Sequence, residues 1–142
     1  MDKFKHIVFG PELVLGIGVI DDQHKRIVQY YNNMVNSFNN DTPGMAQILD
    51  ELINYNLFHF QNEEKFLETI NYPGFAEHKK KHASLLDEFR TLNTELRLYN
   101  SKETKEKILS ITWDWIVFHI MIEDRMYVDY YNQLSRKRSA PV

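Results

Sequence analysis

Apolar residues recur every three or four positions along most of the chain, and this spacing predicts four amphipathic α-helices. They are expected from about Asp22 to Phe38, from about Pro43 to Ile70, from Phe75 through Leu96, and from about Lys102 to Leu134. The sequence has no alternating apolar and polar run long enough to predict a β-strand. Because short connections between long helices favour antiparallel neighbours, we expect an all-α fold, an antiparallel up-down-up-down four-helix bundle.

The segments outside these helices divide the chain into three parts. We expect an N-terminal arm at residues 1–21, the bundle at residues 22–134 and a short basic tail at residues 135–142. The arm contains the most apolar stretch, VFGPELVLGIGVI, but Pro11, Glu12 and glycines interrupt it, and no small-residue cleavage pattern follows. No apolar run reaches the roughly 18 residues of a membrane span, so we expect no membrane partner and a cytoplasmic protein.

Composition excludes several classes of function. A length of 142 residues fits one domain with a real core, and a net charge of -3 gives no basic surface for nucleic acid. The absence of cysteine removes thiolate metal sites and thiol catalysis, which leaves imidazole and carboxylate as metal ligands. The chain also lacks a P-loop, a Rossmann glycine fingerprint, a GxSxG elbow and an HExxH motif.

Five of the six histidines are spaced as metal ligands on helices. A residue and its fourth successor lie about 40° apart around an α-helix and roughly one turn apart along it, so both can reach one ion. The sequence shows this spacing in HFQNE, from His59 to Glu63, and in HKKKH, from His78 to His82. A further histidine comes from the first helix and another from the fourth. The pattern therefore predicts a site to which all four helices contribute.

A purely structural role for these histidines is the alternative interpretation. Each buried imidazole without a partner costs on the order of 1–3 kcal/mol, and several such costs would rival the ~5–15 kcal/mol net stability of a domain. Bound metal removes this cost by using the lone pairs, and nearby acids balance the cationic charge. Ferritin-like carboxylate sites need Glu-x-x-His steps, which the sequence lacks. We therefore interpret the histidines and acids as a two-metal site between helices.

The second acid of the site is ambiguous on helix geometry. Glu123 follows His119 by four residues and Asp124 follows it by five, so an unbroken α-helix would favour Glu123. A local π-type widening of the fourth helix would instead bring Asp124 into the site. An unbroken α-helical hydrogen-bond ladder from His119 to Asp124 would contradict that hypothesis.

Four motifs, DDQH, HFQNE, HKKKH and HIMIED, occur in this order on the four predicted helices. They match the pattern of the hemerythrin family: a histidine, His-x-x-x-Glu, His-x-x-x-His and His-x-x-x-x-Asp. The YP turn before the third helix and the spacing from Trp115 to His119 match as well. The chain thus resembles a single-domain bacterial hemerythrin across nearly the whole bundle.

The resemblance implies a non-haem di-iron centre with a specific ligand set. The metal ligands it implies are His24, His59, Glu63, His78, His82, His119 and Asp124. Glu63, Asp124 and an oxo or hydroxo group would bridge the two Fe ions. One ion would bind the histidines of the third and fourth helices, and the other would bind His24 and His59. The ion with only two histidines would keep one open position, which distinguishes reactive metal sites from closed structural ones.

The resemblance also implies reversible O2 binding for storage, delivery or buffering, rather than catalysis. Five apolar residues match oxygen-pocket positions of hemerythrins: Ile27, Phe60, Trp115, Ile116 and Ile120. The alternatives are a di-iron enzyme that reduces nitric oxide or peroxide or repairs oxidised iron clusters, and an oxygen sensor that acts through a partner protein. Iron is inferred from the resemblance, because imidazole and carboxylate donors also suit zinc or manganese.

Some residues with possible chemistry are predicted to lie outside the site. His6 matches no ligand position and is expected at the surface or in the arm. The basic tail is interpreted as a solvated chain end. Several tyrosines are expected to pack at the edges of the bundle: Tyr30, Tyr31, Tyr127, Tyr130 and Tyr131.

Overall fold

The computed structural model describes residues 4–139 and the side chains of residues 4–137. The helical elements are α1 (Gly18–Asn39), α2 (Met45–Thr69), α3 (Phe75–Tyr99), α4 (Lys102–Asp114), a π-helical segment (Trp115–Asp124) and α5 (Arg125–Ser139). The last three follow one another without a break and form the fourth helix of a bundle. Residues 4–139 contain no β-strand, so the expected all-α four-helix fold is confirmed.

The first helix begins at Gly18, four residues before the predicted Asp22, so residues 18–21 belong to α1 and not to the arm. The buried carboxylate of Asp21 accepts hydrogen bonds from the backbone N–H groups of Leu15 (2.8 Å) and Gly16 (3.0 Å). Gly16 has a φ of 90°, a left-handed conformation that a glycine adopts without strain. The chain therefore turns at Gly16, and Asp21 ties this turn to the first turn of the helix.

The arm packs along α1. The side chain of Asn32 bonds to both backbone groups of Ile7: its Oδ1 accepts from the N–H (2.8 Å) and its Nδ2 donates to the carbonyl (2.9 Å). Tyr31 donates its hydroxyl to the carbonyl of Lys5 at 3.2 Å. At the other end of the chain, α5 continues to Ser139, past the predicted end at Leu134. Part of the segment assigned to a tail is therefore helical.

Short polar turns reverse the chain between helices. Asn71 and Asn100 have positive φ angles of 54° and 46°, which asparagine tolerates better than most residues. Ser101 caps α4 by accepting a hydrogen bond from the backbone N–H of Thr104 at 3.1 Å. These turns keep consecutive helices adjacent and antiparallel.

Buried apolar residues form two clusters at different levels of the bundle. The larger one extends along the bundle and includes Ile27, Phe60, Phe89 and Ile116. The smaller one consists of Leu15, Ile20, Leu67, Tyr127 and Val128. On each of the four helices, the buried histidines and acids lie between the residues of these two clusters. The polar residues therefore occupy a layer with apolar packing on both sides.

Within residues 4–139, none of the helices combines the length and the apolar character that crossing a lipid bilayer requires.

Candidate metal centre

Seven ionisable side chains meet in the polar layer between the two apolar clusters, and each is no more than 5% exposed. They are His24, His59, Glu63, His78, His82, His119 and Asp124. α1 provides one of them, α2 and α3 two each, and the π-helical segment two. The structure thus brings together all seven residues that the sequence motifs indicated.

Glu63 lies at the middle of the layer, with its two carboxylate oxygens directed at different histidines. Its Oε1 is 2.6 Å from Nε2 of His78 and 3.1 Å from Nε2 of His82. Its Oε2 is 3.3 Å from Nε2 of His59 and 3.8 Å from Nε2 of His24. One carboxylate therefore faces two separate pairs of imidazoles, which is the arrangement that a bridging ligand requires.

Asp124 divides its oxygens in the same way. Its Oδ1 is 3.0 Å from Nε2 of His119 and 3.2 Å from Nε2 of His78, whereas its Oδ2 is 3.3 Å from Nε2 of His24. Two candidate metal sites result, each with ligand atoms within 4.8 Å of one another. One comprises Glu63, His78, His82 and His119, and the other comprises His24, His59 and Glu63.

The π-helical segment determines which acid of the fourth helix enters the layer. In a π-helix the hydrogen bond spans five residues, so the fifth successor of His119 lies on the same side as His119 itself. Asp124 is fully buried there, whereas the side chain of Glu123 is 30% exposed. The predicted widening of the fourth helix is confirmed, and it resolves the ambiguity between the two acids.

Three imidazoles donate their outward-facing Nδ1–H to a side chain from another part of the layer or its rim. The pairs are His59 with Gln23 Oε1 (2.6 Å), His82 with Glu64 Oε2 (2.8 Å), and His119 with Glu123 Oε2 (3.1 Å). Because amide and carboxylate oxygens only accept, Nδ1 carries the proton and Nε2 presents a lone pair to the centre of the layer. Metal-binding histidines are typically oriented by such bonds.

Sequence reasoning did not identify these three partners, although a signal for them exists. Each immediately precedes or follows a residue of the layer in the sequence: Gln23 precedes His24, Glu64 follows Glu63, and Glu123 precedes Asp124. A polar residue next to a ligand on a helix lies about 100° around the axis, where it can reach the ring on a neighbouring turn or helix.

The layer contains inward-facing polar atoms that the protein itself leaves unpaired. Nε2 of His82, Nε2 of His119 and both oxygens of Asp124 have no hydrogen-bond partner within residues 4–139. Nε2 of His119 and Oδ1 of Asp124 are 3.0 Å apart, but both are acceptors when Nδ1 carries the imidazole proton. Converging lone pairs of nitrogen and oxygen are the donors that first-row divalent metals prefer. The residues of the layer therefore fit a pair of bound metal ions.

Electrostatics keep both carboxylates ionised. Burial alone would raise the pKa of Glu63, but the neighbouring imidazoles, His59 first, outweigh it and hold this pKa well below its ordinary value. Burial and the charge of Glu63 also act to raise the pKa of Asp124, and His119 more than offsets them. Burial likewise lowers the pKa of His78, yet its bonds to the two carboxylates raise it to about 9. Cations are thus strongly favoured in the layer, and metal ions compete with protons for it.

The five predicted oxygen-pocket residues are all buried in the larger apolar cluster: Ile27, Phe60, Trp115, Ile116 and Ile120. The Phe60 ring stacks on His82 with 3.8 Å between centroids and 5° between planes. The Trp115 ring stacks on His119 at 3.7 Å and 15°. Two aromatic side chains therefore cover imidazoles of the layer and separate them from solvent.

Tyr127 was expected at an edge of the bundle, and this prediction is wrong. It is fully buried and donates its hydroxyl to Oε2 of Glu63 at 3.1 Å. Burial first, and then the charge of Glu63, raise the pKa of its phenol, so it remains a hydrogen-bond donor. Tyr31 is also fully buried rather than at an edge, because its hydroxyl finds a carbonyl partner in the arm. His6 bonds to Asn36 at an exposed position, away from the layer.

Comparisons with known proteins agree with this geometry. The sequence profile of the Hemerythrin HHE cation binding domain family matches residues 15–131. The chain is 28% identical to a Bacteriohemerythrin of Stenotrophomonas maltophilia, over 94% of this chain and 90% of that protein. It is 31% identical to a Bacteriohemerythrin of Clostridium acetobutylicum, over 86% of this chain and 98% of that protein. It is 33% identical to a hemerythrin of Sipunculus nudus, over 76% of this chain and 79% of that protein.

Proposed function

The chain belongs to the hemerythrin family, and on that premise we propose that it binds O2 reversibly at a non-haem di-iron centre. It acts in oxygen storage, delivery or buffering and not as an enzyme. The observation that carries the proposal is the buried layer of five imidazoles and two carboxylates, in which unpaired inward atoms converge. A layer of this kind is stable only with cations in it, because acceptors would otherwise face acceptors in a dry core.

We assign the ligands from the way in which the carboxylates divide their oxygens. The first ion would be held by His78, His82 and His119, and the second by His24 and His59, with Glu63 and Asp124 between them. The support for this division is that Oε1 of Glu63 faces His78 while its Oε2 faces His59. Two iron ions bridged by these carboxylates and by an oxo or hydroxo group would supply the O2-binding chemistry, at an open position of the ion with fewer histidines.

The protein's own groups hold the ligands in fixed orientations. The bonds from Gln23, Glu64 and Glu123 to the outward nitrogens fix both the tautomer and the ring plane of three histidines. The hydroxyl of Tyr127 keeps its proton and donates it to Oε2 of Glu63, which fixes the orientation of that carboxylate. Little reorganisation of the side chains is therefore needed when O2 enters or leaves.

The surrounding apolar residues exclude water. Ile27, Phe60 and Ile116 are at most 1% exposed and belong to the cluster that borders the layer. A dry surrounding protects a redox-active centre from solvent and from anions that would promote irreversible oxidation. Exclusion of water is thus the main contribution of the apolar core to reversible binding.

A cytoplasmic location and a separate redox or delivery partner complete the proposal. The lack of cysteine fits a compartment in which disulfides do not form. The division of the chain into an arm, a bundle and a basic tail is part of the same proposal, with the bundle carrying the oxygen chemistry.

An oxygen titration tests the proposed function. The anaerobic diferrous protein is mixed with O2 in a spectrometer, and the oxygen pressure is then lowered. We expect a visible absorption band that appears with O2 and fades as O2 is removed, over repeated cycles. Protein loaded with zinc, which has no redox chemistry, is the matched control and should show no band. Irreversible decay after one exposure, or fast turnover with nitric oxide or peroxide, would instead indicate an enzyme.

A further inference from the structure

Asn56 is a polar side chain of the core that has no role in the metal layer. It is 0% exposed, and neither its Oδ1 nor its Nδ2 has a hydrogen-bond partner within the described part of the chain. Burying an amide without partners is costly, and nearly all buried polar atoms of native proteins bond to protein or to an ordered water. The amide of Asn56 therefore calls for a partner that is not part of the chain.

Asn56 lies close to the proposed oxygen pocket. It precedes His59 by three residues and Phe60 by four on the buried face of α2, about one helical turn from both. Its sequence neighbour Tyr55 packs against Tyr30 of α1, with 5.8 Å between ring centroids. This contact places Asn56 at the level of the turn of α1 that contains Ile27, a residue of the proposed pocket.

A second polar residue lies at the same level of the bundle. Phe60 of α2 is 5.1 Å from Trp115 of the fourth helix, and further along both helices Phe66 is 6.0 Å from Tyr127. The two helices therefore run parallel, and one turn back from the first contact leads to Asn56 on one helix and to Thr112 on the other.

Thr112 provides the complementary group at this level. It is 0% exposed, and its hydroxyl donates to the carbonyl of Ile108 at 2.7 Å, so its oxygen is left as an acceptor. Asn56 and Thr112 are both shorter than the leucine, isoleucine and phenylalanine side chains of the surrounding core. Two short polar side chains at one level leave more room than the apolar pairs that fill the other levels.

We propose that Asn56 and Thr112 form a buried polar subsite that holds an internal water molecule one helical turn from the metal centre. Water matches the subsite because it can accept from Nδ2 of Asn56 and donate to Oδ1 of Asn56 or to Oγ1 of Thr112. The two residues carry no formal charge, so a neutral guest fits and an ion would be left unbalanced.

The bound water has a consequence for the stability of the oxygen complex, and this consequence rests on the proposed function. A water one turn from the oxygen pocket is a nearby source of protons in an otherwise dry core. Replacing Asn56 by leucine, which has nearly the same shape and no polar atoms, removes the bonds that hold it. We expect the Asn56→Leu protein to oxidise irreversibly to the diferric form several-fold more slowly than the parent.

High-resolution crystal structures of the iron-loaded parent, Asn56→Leu and Asn54→Leu proteins test the subsite itself. Asn54 is exposed on the same helix, two residues away, and provides the matched control. We expect a solvent peak about 2.7–3.2 Å from the Asn56 amide in the parent and in Asn54→Leu, and no peak in Asn56→Leu. A parent structure in which no solvent molecule contacts Asn56 overturns the proposal. The parent alone decides this question, so failure of Asn56→Leu to fold would not matter.

Oxidation rates of the oxygenated proteins test the consequence separately. Slower oxidation of Asn56→Leu, with Asn54→Leu equal to the parent, supports it. Equal rates in all three proteins, with the water present in the crystals, overturn it. A parent protein that fails to bind O2 at all contradicts the proposed function and leaves the crystallographic result on the water unaffected.

Discussion

The two halves of the candidate metal centre differ in how the protein supports their histidines. On the three-histidine side, His82 and His119 each donate to a carboxylate and each lie under an aromatic ring. On the two-histidine side, His59 donates to the neutral amide of Gln23, and Nδ1 of His24 has no hydrogen-bond partner within residues 4–139. One side is thus charged and sterically fixed, whereas the other is neutral and less constrained.

This difference suggests a division of labour between the two ions. A carboxylate bonded to the outward nitrogen makes an imidazole more basic and a stronger metal ligand. We therefore expect the three-histidine ion to be held more tightly and to act as the anchor of the site. The two-histidine ion, with the proposed open position, is where O2 would bind and where the ligands need most freedom to adjust.

Removing the charge of the shared carboxylate should have the largest effect, because it acts on both halves at once. Glu63→Gln keeps the shape of the side chain but loses the charge that balances both ions. We expect iron binding to weaken by more than about 100-fold, beyond the ~10–100-fold cost of losing an outer partner. Iron per chain, measured after gel filtration, gives the result. Glu68→Gln, at an exposed position of the same helix, should load fully.

Retention of two ions per chain by Glu63→Gln would contradict the assignment of Glu63 as the shared ligand. Loss of the ions together with loss of the helical fold would be separated from this effect by circular dichroism of the metal-free variant.

Stepwise removal of iron tests the difference between the halves directly. With increasing chelator, we expect the chain to lose iron in two stages, the two-histidine ion first. The intermediate should retain one ion per chain and should no longer respond to O2. Because bound metal stabilises the folded state by mass action, the unfolding midpoint should fall at each stage. Simultaneous loss of both ions in a single stage would mean that the two halves hold metal equally well.

Exchanging the outer partners should reduce or reverse the difference. Glu123→Gln removes a carboxylate from His119, and we expect the three-histidine ion to bind about 10–100-fold more weakly. Gln23→Glu places a carboxylate on His59 and should strengthen retention of the two-histidine ion. Chelator titrations of both variants measure the change. Unaltered titration curves for both would show that the outer partners do not set the affinities.

The apolar cover of the layer should have a smaller effect, on oxidation rate and not on iron content. Ile116→Thr introduces a hydroxyl into the fully buried cluster beside the layer. We expect irreversible oxidation of the oxygenated protein to become several-fold faster while two ions per chain remain bound. Ile122→Thr, at a position that is 55% exposed, makes the same chemical change without entering the core. Equal oxidation rates for the two variants would remove the proposed role of Ile116 in excluding water.

Sequence reasoning identified the residues of the layer because their signal is local. His59 and Glu63, and likewise His78 and His82, are one turn apart on a single helix, so spacing alone places each pair on one face. Asp124 is different. Ideal helix geometry favours Glu123, and the correct residue followed only from the family pattern together with a π-helical segment that spacing does not encode.

Other features depend on contacts between distant segments and could not be read from spacing. The start of α1 at Gly18 depends on the bonds of Asp21 to the backbone of the arm. The burial of Tyr127 depends on Glu63, 64 residues earlier in the chain, which accepts its hydroxyl. Asn56 lies on an apolar face where its neighbours predict burial, but only the packed structure shows that its amide has no partner in the described chain.

The central claim is that the layer holds two iron ions and that one O2 binds reversibly to the pair. Simultaneous measurement of iron and of O2 uptake by the diferrous protein tests it most directly. We predict two iron ions per chain and one O2 taken up per chain, all of which is released when the oxygen pressure is lowered. A single iron per chain, or O2 that is consumed and not recovered, would contradict the account.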